Sequence, residues 1–260
     1  MSPPDSRIAR ASRAEVACDG AEGLVVCEAR TEDDIIAAQR LRYRVFVEEM
    51  GARLPLCRAG VEADRFDAYC THILVRRGTC GPVVGTYRLL SSAGARSAGG
   101  FICEELFDLA PLAGVRDDAV ELGRACVDSQ LRGGVVLMLL WSGIARYLLA
   151  NRKRYLLGCA SLDRRDGGAA AANACARLAV AHSAPAQFAV TPRVKVPPPG
   201  LPGMTQSILS PVLKGYLRAG AWICGEPAWD RSFDTADLLV LLDVARFAPR
   251  YARRFLARAS

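Results

Sequence analysis

Apolar and polar positions along the chain change period several times, and each change marks an element. The run 24–29 reads as a short strand. Thr31-Glu32-Asp33-Asp34 then offers an N-cap with acids in the first helical turn. Ile35, Ala38, Leu41 and Val45 keep helical spacing to about residue 49, which sets Arg42 and Phe46 one turn apart on a common face. Strands at 69–76 and 83–90 follow, joined as a hairpin by Gly78-Thr79-Cys80-Gly81-Pro82. A stretch rich in Gly, Ser and Ala reads as a loop, and 104–109 as an acidic-apolar segment. A strand at 119–127 leads into a strongly apolar helix from Val135 to about 151, then a strand at 154–162 and an alanine-rich helix at 168–182. Residues 192–202 carry too many prolines for regular structure and read as a surface connection. A helix at 211–219 and strands at 221–224 and 238–242 complete the pattern. An antiparallel sheet followed by strand-helix-strand predicts a mixed α+β fold, with a mostly antiparallel central sheet and helices on both faces.

Against this apolar background, a few charges stand out: Arg42, the trio Glu62, Asp64 and Asp67, then Arg88, Glu121 and Arg124. They sit on or beside segments that otherwise read as buried, where a charge survives only if it is paired or working. Structural ion pairs and an active site of carboxylates and guanidiniums both account for the pattern. Farther on, Arg132-Gly133-Gly134 precedes the apolar helix. A helix start there gathers unpaired N–H groups and the positive dipole end, which suits a phosphate arm, although a plain glycine turn has the same sequence.

The chain has 260 residues with 51% apolar content and a formal charge of +7. It can bury one main domain, expected at 23–243, between a leader at 1–22 and a basic tail at 244–260. The charge favours anionic partners, but outside the tail the arginines are interleaved with acids, which argues against nucleic acid. The ten cysteines are scattered without a Cys-x-x-Cys pair, and no secretory segment is apparent. Buried thiols in a reducing cytoplasm follow, with Cys126 and Cys159 as core residues. A zinc site from Cys57, Cys70, His72 and Cys80 matches no common spacing, so no metal is expected. His72 reads as a hydrogen-bonded structural residue, and Trp141 as core or pocket lining. The tail combines five arginines with four large apolar residues after residue 245, a composition suited to an anionic membrane surface or a solvated helix end.

The arrangement of strand, glycine turn and apolar helix resembles the GNAT acyltransferase fold, which implies a splayed central sheet whose next helix start holds a phosphopantetheine arm. Arg42-Tyr43-Arg44-Val45-Phe46, Glu62-Ala63-Asp64-Arg65-Phe66-Asp67, Gly85-Thr86-Tyr87-Arg88 and Glu121-Leu122-Gly123-Arg124 are similar to the motif series of acyl-homoserine lactone synthases. Those synthases carry Gly-Trp after the first helix, where this chain has Gly51-Ala52. A closer resemblance is to the ornithine lipid acyltransferases, carried by Arg44-Val45-Phe46-Val47-Glu48-Glu49-Met50-Gly51, Leu140-Trp141-Ser142-Gly143, Gly158-Cys159-Ala160-Ser161-Leu162 and Leu213-Lys214-Gly215-Tyr216.

That resemblance implies transfer of a 3-hydroxyacyl chain from acyl carrier protein to the α-amine of L-ornithine, with no permanently bound cofactor. It places Arg42, Phe46, Glu62, Asp64, Asp67, Arg88, Glu121 and Arg124 in the site. Glu121 is then the first choice of general base and Glu62 the second. Arg88 or Arg124 would pair with the amino acid carboxylate, and Asp64 and Asp67 would receive its side-chain ammonium. Val127, Arg132, Gly133 and Gly134 would hold the acyl-phosphopantetheine, and N–H groups of the splayed strand would stabilise the oxyanion. Lactone synthesis, or a basic membrane- or nucleic-acid-binding module without catalysis, are the competing readings.

Overall fold

The computed structural model describes residues 16–17, 23–54, 60–200 and 209–247. Most of the expected leader, the tail beyond 247 and Cys57 lie outside the described residues. The strands are β1 (Val16–Ala17), β2 (Leu24–Glu28), β3 (Thr71–Arg77), β4 (Val83–Ser91), β5 (Phe107–Asp108), β6 (Ala119–Val127), β7 (Tyr155–Asp163), β8 (Thr191–Pro192), β9 (Trp222–Ile223), β10 (Ala228–Asp230) and β11 (Thr235–Asp243). The helices are α1 (Glu32–Arg42), α2 (Ser92–Ala98), α3 (Val135–Ala150), α4 (Ala169–His182) and α5 (Pro211–Ala219). The main sheet runs β1-β2-β3-β4-β6-β7-β11-β10, with β9 also paired to β11, while β5 and β8 form a separate ribbon. Every pairing in the main sheet is antiparallel except β6 with β7. The expected mixed sheet with helices on both faces is therefore present.

The sheet is buried on both sides, which explains why its strands read as nearly continuous apolar runs. Along β11, Leu238, Val240 and Leu242 join the core beneath α3, α4 and α5, whereas Leu239 and Leu241 turn to the opposite core. Helix α3 supplies Leu140 and Ile144, both fully buried, each worth about 1.5–3 kcal/mol on transfer from water. It lies close on the sheet because glycines face each other's partners across the contact. A Cβ on Gly85 would stand 2.3 Å from Val136 Cγ1, and one on Gly143 would stand 2.6 Å from Ile73 Cγ2.

The opposite face is covered by α1, α2 and the short turns between Phe101 and Asp118. The α1 start is as expected: Asp34 N donates to Thr31 Oγ1, and Thr31 N to Asp34 Oδ2, both at 3.1 Å. After Arg42 the helix widens into a π-turn over Tyr43–Glu49, a local expansion that often accompanies functional sites.

Three expectations are corrected. The Gly/Ser/Ala-rich stretch contains α2, whose start is capped by Ser91 Oγ accepting from Gly94 N at 3.1 Å and whose end is the left-handed Gly99. Strand β11 begins at Thr235, three residues before its apolar run, and β10 pairs with that polar beginning. The proline-rich connection is partly tied to structure: Pro192 lies in β8, and Trp229 N donates to Val194 O at 2.9 Å.

Candidate active site

The site is organised by β6. Its pairing with β7 is confined to Ala119, Val120 and Glu121 opposite Tyr155, Leu156 and Leu157, after which the two strands part. On its other side, Arg88 pairs with Gly123 and Thr86 with Cys126. Tyr87 therefore faces both Arg124 and Ala125, which is a β-bulge. Arg124 takes φ +55°, a left-handed conformation that costs a non-glycine residue about 1–2 kcal/mol.

A cavity of about 710 Å³ opens at the parting. Along β6 its wall changes from Glu121 and Arg124 to Ala125 and Val127, and then to Leu131, Arg132, Gly134 and Leu137 at the start of α3. Arg88, Phe46, Cys103, Cys159, Asp230, Phe233 and Asp237 also line it. Phe46 and Phe233 meet edge to face with ring centroids 5.7 Å apart. One end is thus apolar and borders a helix start, and the other carries charge.

Behind this wall lies a compact ion network. Arg42, with no solvent exposure, holds Asp67 in a two-pronged bond of 2.8 and 2.7 Å and donates to the Glu62 carbonyl at 2.6 Å. Its Nε also pairs with the Glu62 carboxylate. Arg88 Nη1 reaches Asp64 at 2.7 Å and Asp67 at 3.0 Å. Arg124 Nε donates to Glu62 at 3.0 Å, and its Nη2 is 3.5 Å from Asp64. Three carboxylates answer three guanidiniums. Burial works to raise the Asp67 carboxyl, but the bonds and charges of Arg42 and Arg88 overcome it and hold the group well below the usual carboxylate range.

Glu121 differs. It is 3% exposed, and its oxygens accept from the amides of Ile102 at 2.5 Å and Cys103 at 2.7 Å, not from an arginine. Burial pushes its carboxyl up to about 7, against the pull of those amides and the Arg88 charge. Asp237, 4% exposed and bonded by Thr235 Oγ1 at 2.6 Å, is likewise pushed up to about 6 by burial.

Of the residues singled out in the sequence, Phe46, Arg88, Glu121, Arg124, Val127, Arg132 and Gly134 line the cavity, whereas Arg42, Glu62, Asp64, Asp67 and Gly133 do not. Arg132 pairs with Glu49 and is half exposed. The carboxylates Asp230 and Asp237 were missed. Asp237 stands at the edge of the apolar run 238–242, so the signal that marks Glu121, an acid inside such a run, is weaker there. His72 Nε2 lies 3.2 Å from the Asp67 carbonyl oxygen, and burial lowers its pKa against the pull of Asp67, which favours the neutral ring. The Cys103 and Cys159 thiols are held well above their ordinary value by burial, so neither supplies a thiolate. Among the described residues, no three His, Cys, Asp or Glu side chains group as a metal site, and no helix is long and apolar enough to cross a membrane.

Residues 41–142 match the family model described as an acetyltransferase (GNAT) domain. The chain is 36% identical to the L-ornithine N(alpha)-acyltransferase of Rhodobacter capsulatus over 246 residues, covering 88% of this chain and 93% of that protein. It is also 36% identical to the L-ornithine N(alpha)-acyltransferase of Agrobacterium fabrum over 242 residues, covering 86% and 82%. A CoA-dependent acyl-homoserine lactone synthase solved with SAM and isopentyl-CoA shares the fold, with a TM-score of 0.54 at 16% identity over 88% of this chain and 83% of that one. Fold and matched segment define a GNAT-type acyltransferase, an enzyme that acylates an amine. Within that class, the chain belongs to the L-ornithine N(alpha)-acyltransferase family.

Proposed function

We propose that this enzyme transfers a 3-hydroxyacyl chain from acyl carrier protein to the α-amine of L-ornithine, giving lyso-ornithine lipid, the first step towards ornithine lipids. The observation that carries the reading is the cavity at the parting of β6 and β7, which joins an apolar end to a charged one. An acyl thioester and an amino acid make that pair of demands.

The amine nitrogen must shed a proton before it attacks the thioester carbonyl carbon. Glu121, raised to about 7 and on the cavity wall, is the base of choice, taking the proton directly or through water. Glu62 is a poorer candidate because Arg42 and Arg124 already hold its carboxylate. The new C–N bond leaves a tetrahedral oxyanion, which N–H groups of β6 beyond the parting would stabilise. Collapse breaks the C–S bond and expels the pantetheine thiolate, which takes up a proton. Arg88 would bind the amino acid carboxylate. Arg132 and the N–H groups at Gly134 and the first turn of α3 would steady the phosphopantetheine. The basic segment beyond residue 245 would let the product reach an anionic membrane, so deleting residues 248–260 should abolish flotation with anionic liposomes.

The deciding assay mixes purified enzyme, 3-hydroxyacyl carrier protein and candidate amines, with products read by mass spectrometry. Ornithine-dependent N-acyl product is expected. Lactone formed from S-adenosylmethionine, or no product with any donor, would overturn the proposal.

A further inference from the structure

We infer that Asp237, with Asp230 beside it, receives the side-chain ammonium of the amino acid acceptor and so selects an acceptor ending in a cation. The inference rests on the reading of the enzyme as an amino acid N-acyltransferase. It reassigns a task that the family resemblance implies for Asp64 and Asp67, which do not line the cavity and are already bonded to Arg88 and Arg42.

The register of β10 with β11 places Ala228 opposite Asp237 and Asp230 opposite Thr235. Side chains two apart on a strand share a face, so Asp230, Thr235 and Asp237 present to the same side. Asp230 and Asp237 both line the cavity. Thr235 occupies Asp237 Oδ1 at 2.6 Å, and Asp230 Oδ1 takes the amides of Ser232 at 2.8 Å and Phe233 at 3.3 Å. Among the described residues, neither carboxylate has a cation within ion-pair distance, unlike the three acids of the buried network. Burial, and after it the Asp230 charge, raise the Asp237 carboxyl against the pull of the Thr235 and Ser161 hydroxyls and the more distant Arg124 charge. Two neighbouring acids in a sheltered place repel each other unless a cation answers both.

An independent observation on the same cavity points to the other end of the ligand. Arg88 is 1% exposed, and while Nη1 is engaged by Asp64 and Asp67, Nε and Nη2 have no hydrogen-bond partner among the described residues. Buried guanidinium donors without acceptors suit a carboxylate. Glu121 feels the Arg88 charge, and Cys159 feels Glu121, Asp230 and Asp237 together. A molecule with a carboxylate at Arg88, an amine at Glu121 and a second cation at the Asp pair is a basic amino acid.

The test compares L-ornithine with L-norvaline, which keeps the carbon skeleton but lacks the terminal amine. Each is titrated calorimetrically into the full-length chain and into the Asp237→Asn and Asp230→Asn chains, and kcat/KM is measured for both acceptors. The unaltered enzyme should favour ornithine, and Asp237→Asn should lower the ornithine-to-norvaline ratio by roughly tenfold to a hundredfold. Asp230→Asn should lower it less. Asp230 is only partly buried, so this variant decides the matter if Asp237→Asn does not fold. A ratio undiminished in the folded variants overturns the assignment alone. An unaltered enzyme that neither binds nor acylates any amino acid overturns the parent reading, and the assignment with it.

Discussion

The acids around Arg42 and the acids around the cavity are buried to similar degrees, yet they follow opposite rules. Glu62 and Asp67 each face guanidiniums, and Asp67 is held far into its ionised form. Glu121 and Asp237 are held by backbone amides or a hydroxyl, with no ion-pair partner among the described residues, and their carboxyls are raised to about 7 and about 6. Burial alone therefore does not mark a working acid. What separates the two sets is whether the protein itself supplies the countercharge.

The largest effect should come from breaking the closed set. Arg42→Ala leaves Glu62 and Asp67 buried without their main partner and should cost about 3–5 kcal/mol of stability, read from urea unfolding midpoints. A loss below 1 kcal/mol with activity abolished would mean that the network acts in chemistry, not in support.

Glu121→Gln tests the open set. It should lower kcat/KM by about 10²- to 10⁴-fold, the usual range for a lost general base, while the variant remains folded by circular dichroism. Full turnover would remove Glu121 from the role.

The third prediction is one of sign. With the Glu121 carboxyl at about 7, kcat/KM of the unaltered enzyme should climb as pH rises through about 7 and then level. Stability should move the other way. A carboxyl raised above its unfolded value binds more protons when folded, so the stability that Glu121 contributes is complete below 4.5 and is lost as pH rises through about 7. Asp67, depressed from 3.8, gives the reverse: its contribution is present above 3.8 and lost on further acidification. Thermal melts across pH should therefore show two trends of opposite sign, with Glu121→Gln removing the part of the falling limb near 7 and leaving the part due to Asp237, raised from 3.8 to about 6.

The smallest effect should be at the rim. Arg132 is half exposed and paired with Glu49. Arg132→Ala should change stability by less than about 1 kcal/mol, while raising KM for the acyl donor severalfold. An unchanged KM would remove this arginine from donor binding.

The long strands and α3 were legible because apolar runs are longest and least interrupted where both faces of an element are covered, as along β4 and β11. Helix α2 was not, because Ser92-Ala93-Gly94-Ala95-Arg96-Ser97-Ala98 has no large apolar residue to set a period, and its capping by Ser91 and Gly99 works without one. The residues of the site were largely visible as charges in apolar surroundings, but their division was not. Glu62, Asp64 and Asp67 lie in an aperiodic stretch whose side-chain directions are fixed by Arg42, Arg88 and Arg124 together with Gln39 and local backbone amides. Asp237 falls just before the apolar run 238–242, because the polar residues at the start of β11 do not extend that run.

The close seating of α3 has its own consequence. Val136, in the first turn of that helix, rests on Gly85, and Gly143 two turns later rests on Ile73. A single methyl group at position 85 would act as a wedge at the end nearest the cavity, with Gly143 as the pivot. Such a change would shift the helix start that borders the cavity beside Gly134 and Leu137, so the width of the apolar end is set in part by one absent side chain beneath it.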